Sequence, residues 1–144
     1  MKVIIGMFAA VLLIAAVPLS AHHSFAAEYD ADKPIQVTGT VTKVEWTNPH
    51  ARIYVDAKDE KGNVTNWNFE LGGPLQLNRL GWKRDAVKVR DQVTVQGYLA
   101  KDGAHRANGR NLTLPNGRAL FLGSSDTGAP RDGADSTEGG VRPK

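Results

Sequence analysis

Residues 37–46, VTGTVTKVEW, set the tightest limit on what this chain can fold into. Val37, Gly39 and Val41 lie on one face of an extended strand. The phase then slips by one residue, and Val44 and Trp46 carry the pattern on. Period-two alternation marks a strand with one buried face. A slip inside such a strand would turn every later side chain to the wrong face unless a bulge absorbs the extra residue, and a bulge bends the strand. Gly39 eases the same bend. The first strand is therefore expected over 35–46, long and curved.

The rest of the domain reads in the same way. Asn48-Pro49 starts a turn. A second strand follows over 51–57, with Ile53, Val55 and Ala57 on one face. After a loop over 58–63, a third strand runs over 64–71 with Trp67, Phe69 and Leu71 inward and Asn66, Asn68 and Glu70 outward. The period then changes. Residues 73–81 predict a short helix, with Pro74 suited to its first turn and Gly81 to its stop. Strand alternation returns over 87–100, where Val93, Val95, Gly97 and Leu99 share a face. A last strand is expected over 106–114, then a turn at Pro115-Asn116-Gly117 and a short apolar end, Ala119 to Leu122. Three strands, a helix and two strands, with the first strand bent, describe an all-β fold. It is a five-stranded OB-like barrel with one short helix between strands 3 and 4. An open five-stranded sandwich is the rival arrangement.

The ends have a different character. Lys2, the apolar run Val3 to Val17 and Leu19-Ser20-Ala21 read as a secretory signal over 1–21, cut after Ala21. The apolar run is shorter than the roughly 20 residues that span a bilayer, so no stable membrane anchor is expected after cleavage. Residues 22–33 are expected as an N-terminal arm, 34–122 as the barrel and 123–144 as a disordered tail. The tail is rich in Gly, Ser, Asp and Pro and lacks the apolar surface to offset the entropy of ordering it. The chain is thus expected to be periplasmic or secreted. It has no cysteine, so packing alone must hold the domain together. The net charge of +3 falls to +2 when the signal takes its one lysine away. That balance lacks the dense basic stripe of a nucleic-acid binder, and no nucleic-acid partner is expected.

Several stretches together carry a resemblance: HHSFAAEYD, GTVTKVEWTNPHARIYVD, WNFELGGP, LGW, VTVQGYLAKDG and RANGRNLTLPNGR. Over residues 22–121 the chain resembles the small exported bacterial proteins of the DUF6152 family. The resemblance implies export and a single small β-domain. It supplies no catalytic residues to carry over.

The candidate chemistry lies in four histidines, His22, His23, His50 and His105. Cleavage after Ala21 gives His22 a free α-amine beside its imidazole. These two nitrogens and a third from elsewhere form a T-shaped set that suits the tetragonal preference of Cu(II). Cleavage after Ser20 instead places His22 and His23 second and third, and histidine in third position also chelates Cu(II) or Ni(II). In an OB-like barrel the loops carrying His50 and His105 lie on the ligand side, so both are candidate metal ligands with His22 and His23. Against this, histidines near a cut are commonly mobile, and no close spacing such as His-x3-His is present.

Asn48, His50 and Arg52, with Tyr54 and Tyr98, form a second candidate, a face binding a small ligand or a periplasmic protein. Trp46 and Trp67 fall in phase with the core, and Trp82 is placed to pack the helix down. Glu28, Asp30, Asp32, Glu45 and Glu70 match no calcium loop, Ser24 lacks a nucleophile-elbow setting, and Gly72-Gly73-Pro74 lacks the lysine of a phosphate loop. No catalytic residue is assigned. The leading expectation is an exported binding module with copper as its cofactor. A ligand-binding module with incidental histidines comes second, and a copper-dependent oxidative enzyme third.

Overall fold

The structure, a computed structural model, describes residues 25–123. Strand β1 (Tyr29–Glu45) is the expected long strand, 17 residues in length. Its first part pairs antiparallel with β4 (Gln92–Ala100) and its second with β2 (Arg52–Lys58). The register against β2 shifts between Val41 and Lys43. Thr42 is thus the extra residue of a bulge, at the place where the hydrophobic phase slips.

The hairpin of β2 with β3 (Val64–Glu70) runs in continuous register from Lys58↔Val64 to Arg52↔Glu70. Strand β5 (Arg106–Thr113) pairs antiparallel with β4 and parallel with β3. The short apolar end becomes a sixth strand, β6 (Ala119–Phe121), on the free side of β5. All six belong to one sheet of order β3-β2-β1-β4-β5-β6, and the β3–β5 pairing links its two halves. The expected count of five is corrected to six, because Leu120 is buried and Ala119 and Phe121 complete a ladder with β5. Between β3 and β4 lies the expected short helix, here α2 (Pro74–Arg79), with Leu77 fully buried. No helix among the described residues is long and apolar enough to cross a membrane.

The alternating faces meet in one core. Val41, Ile53, Val55, Phe69, Leu71, Leu77, Val95, Leu112 and Leu122 are at most 1% exposed, and each such side chain contributes about 1.5–3 kcal/mol on burial. Trp82 belongs to this core and donates its indole N–H to the Phe121 carbonyl at 2.8 Å. Trp46 and Trp67 pack against it, half-buried.

The expected arm over 22–33 is corrected from Phe25 onward. Residues 25–28 form a one-turn helix, α1 (Phe25–Glu28), and β1 already begins at Tyr29. Phe25 and Tyr29 are four residues apart and lie on one face of the turn. With Ala100 and Tyr98 they form a second, smaller apolar cluster. Phe25 meets Tyr98 edge-on at 5.5 Å.

Candidate functional site

The β2–β3 register places Arg52 opposite Glu70, on the face turned away from the core. A carboxylate there would ordinarily be solvated, yet Glu70 is only 4% exposed. Two side chains close over it. Arg52 donates from Nη2 to Glu70 Oε2, and His50 Nδ1 stands 2.9 Å from Glu70 Oε1. Arg52 Nη1 also reaches Asn68 Oδ1 at 3.5 Å. His50 is steadied by its neighbour Ala51, whose N–H donates to the Gly72 carbonyl while its own carbonyl accepts from the Leu71 N–H. One buried carboxylate therefore holds a histidine and an arginine from the β1–β2 loop and the start of β2.

The start of the described chain is fastened beside this group. Glu28 Oε2 accepts from Arg106 Nη1 at 2.9 Å, and Arg106 Nη2 reaches Asp102 Oδ2 at 3.2 Å. Lys101 ties down the same turn twice, through its N–H to the Glu28 carbonyl and its Nζ to the Ala26 carbonyl. The Arg106 guanidinium lies over the Tyr29 ring at 5.6 Å. Burial, and next the Glu70 charge, push the Tyr29 hydroxyl well above the ordinary phenol range.

That hydroxyl is fully buried and makes no hydrogen bond among the described residues. Removing a buried, unpaired hydroxyl is neutral or favourable. Tyr29→Phe is therefore expected to leave the urea midpoint unchanged or raise it. A loss of about 1 kcal/mol or more, the worth of an ordinary hydrogen bond, would show that the hydroxyl has a partner.

The expected site residues divide. His50 and Arg52 are brought together on Glu70. Asn48 is exposed in the loop before them, preceding a cis Asn48–Pro49 peptide bond. His105 is exposed, with its ring 5.2 Å from that of Trp67. Trp67 and Glu70 stand three positions apart on β3, about 10 Å along the strand and on opposite faces. His50 and His105 are therefore anchored to different places. His22 and His23 lie outside the described residues, as do the expected signal and all but the first residue of the expected tail. Among the described residues, no three or more His, Cys, Asp or Glu side chains form a group that could hold a metal.

Glu70, Tyr29 and Arg106 were not expected as site residues, nor were two buried polar residues of β5, Asn108 and Arg110. Glu70 had a readable signal. Matching the inward phases of the two strands, Ile53 with Phe69 and Val55 with Trp67, sets Arg52 opposite it and predicts the ion pair. Tyr54 accounts for another outward carboxylate, since it donates to Glu45 Oε2 at 3.1 Å. A groove of about 500 Å³ crosses the outer faces of β1, β4 and β5 between Gln36, Tyr98 and Arg110, and it includes none of Asn48, His50 or Arg52.

A family model described as a family of unknown function, DUF6152, matches residues 10–110. No curated protein matches the chain. Among solved structures, the crystal structure of the mitochondrial single-stranded DNA binding protein Rim1 from S. cerevisiae is similar at a TM-score of 0.45 and 14% identity. The similarity covers 58% of this chain and 94% of that one.

Proposed function

The chain belongs to the DUF6152 family, and from that premise we propose that it is an exported, periplasmic binding module that holds Cu(II). The pairings β1–β2–β3–β5–β4 and back to β1 support reading the sheet as an OB-like barrel, with β6 as an addition at its side.

The contact of His50 Nδ1 with the buried Glu70 carboxylate carries the copper reading. A carboxylate on one ring nitrogen makes that nitrogen the N–H donor and fixes the ring, leaving Nε2 as the nitrogen to bind a metal. The other ligands would be the α-amine and imidazole of His22, freed by cleavage after Ala21. The anchoring of Phe25, Glu28 and Tyr29 supports this set. His22 stands three positions before Phe25, a reach of about 10 Å. His105, held against Trp67, is not part of the set. Recognition of a small ligand or protein partner through Asn48 and Arg52 is the reading that remains if His50 does not bind.

The test is a Cu(II) titration followed by electron paramagnetic resonance on exported protein, its N-terminus fixed by intact mass. We expect one tight site per chain, a spectrum altered in His50→Ala and a spectrum unchanged in His105→Ala. A spectrum unchanged in His50→Ala would place any copper on the N-terminal peptide alone and end this reading.

A further inference from the structure

The positive charge of this chain is concentrated at one place. Five cationic and two acidic residues stand between Arg79 and Asp91. Arg118, on the β5–β6 turn, joins them by lining the same cavity as Lys83. Arg79, Lys83, Arg84, Lys88, Arg90 and Arg118 are all exposed. No ion pair among the described residues involves any of them. Three large hydrophobic side chains are exposed among the described residues; Val89 lies within this stretch and Leu75 lies four residues before Arg79. Leu75 on α2 is 64% exposed and Val89 is 53% exposed.

Val89 is held out by a built turn. The Asp91 N–H donates to the Lys88 carbonyl at 3.1 Å, and the Lys88 N–H donates to Asp91 Oδ2 at 2.8 Å. Val89 and Arg90 occupy the two corners. Arg90 has φ 80°, at the position where a turn of this kind ordinarily takes glycine. The turn is bound to β1, since the Arg90 N–H donates to the Val41 carbonyl at 2.8 Å and the Val41 N–H to the Asp91 carbonyl at 2.9 Å. Packing explains neither corner residue, because both side chains face solvent. A strained arginine beside an exposed valine breaks two local preferences with no gain inside the fold, and such exceptions concentrate at functional places.

We propose that this turn docks the protein peripherally on an anionic phospholipid surface, with Val89 entering the headgroup region and the surrounding cations over the phosphates. Exposed aliphatics set among unpaired cations are the pattern of an interfacial contact. The proposal is independent of the copper site.

The test is sedimentation of the exported chain with phosphatidylcholine vesicles carrying increasing phosphatidylglycerol. Binding is expected to rise with the anionic fraction and to fall as salt shortens the range of the attraction. Arg90→Gly is expected to weaken partitioning about fivefold, the effect of one cation near such a surface, while raising the thermal midpoint by relieving the turn. Val89→Ser is expected to weaken binding without changing its salt dependence. Lys61→Glu, which changes an exposed cation in the β2–β3 loop, is expected to leave binding unchanged. The proposal fails if the protein does not bind at low salt and high phosphatidylglycerol, or binds neutral vesicles equally well. It also fails if Arg90→Gly and Val89→Ser bind like the unaltered chain, or if Lys61→Glu weakens binding as much as Arg90→Gly.

Discussion

Gly97→Ala is expected to lower the thermal midpoint of unfolding by about 12 °C or more. A Cβ at Gly97 would stand 2.2 Å from the Asn108 carbonyl oxygen, 3.0 Å from its carbon and 3.2 Å from Gly109 Cα. All three are backbone atoms of the neighbouring strand, so no side chain can swing away. Relief requires β4 and β5 to part, and Asn108 also lies opposite Glu70 in the β3–β5 pairing. The clash therefore spreads to the link between the two halves of the sheet. Overpacking of this kind costs about 3 kcal/mol, and a domain of this size shifts by about 4 °C or more per kcal/mol. Gly103→Ala is the control. Gly103 has φ 76° and nothing within 4 Å of an added Cβ, so alanine there meets only the backbone preference, about 1–2 kcal/mol. Equal losses in the two variants would show that close approach at Gly97 is not what requires glycine.

Gly39 shows where reading the sequence succeeds and where it stops. The phase slip after Val41 predicts a bulge, and the register shift between Val41 and Lys43 is that bulge. The pattern is legible because each inward side chain there is paid attention by one face of the core. Gly39 was expected to ease the bend, but an added Cβ would lie 2.2 Å from the Asp56 carbonyl oxygen. Its small size lets β2 come close, a distance that no one-dimensional pattern records. Residues 29–34 were missed as strand because Asp30, Ala31, Asp32 and Lys33 do not alternate. Their burial runs from buried Tyr29 to exposed Lys33 with no period of two. Glu70 was legible as an outward residue and as the partner of Arg52. Its burial was not legible, because it depends on His50 arriving from a loop. Metal ligation by His22 and His23 rests on sequence alone.

Glu70→Ala is expected to cost about 3 kcal/mol, read as a lowered urea midpoint at an unchanged slope. Removing one partner of a buried ion pair costs about 3–5 kcal/mol because the other charge stays behind. The lower end applies here, since the Arg52 side chain is 28% exposed and His50 16%, and water can reach both. Arg52→Ala alone is expected to cost less than Glu70→Ala. It leaves the carboxylate its contact with His50, whereas Glu70→Ala takes that contact from both groups. In the double variant the loss should fall short of the sum by about 0.5–3 kcal/mol, the range for residues in direct contact. Full additivity would mean that the ion pair contributes nothing. Glu70→Gln separates stability from metal binding. It keeps the shape of the side chain and removes the charge that orients His50, so Cu(II) affinity should fall about 10–100-fold. If Glu70→Gln lowers the urea midpoint and leaves copper affinity untouched, Glu70 only holds β2 to β3, and His50 is not a copper ligand. If copper affinity falls while the midpoint holds, the carboxylate acts through the His50 ring, as the copper reading requires.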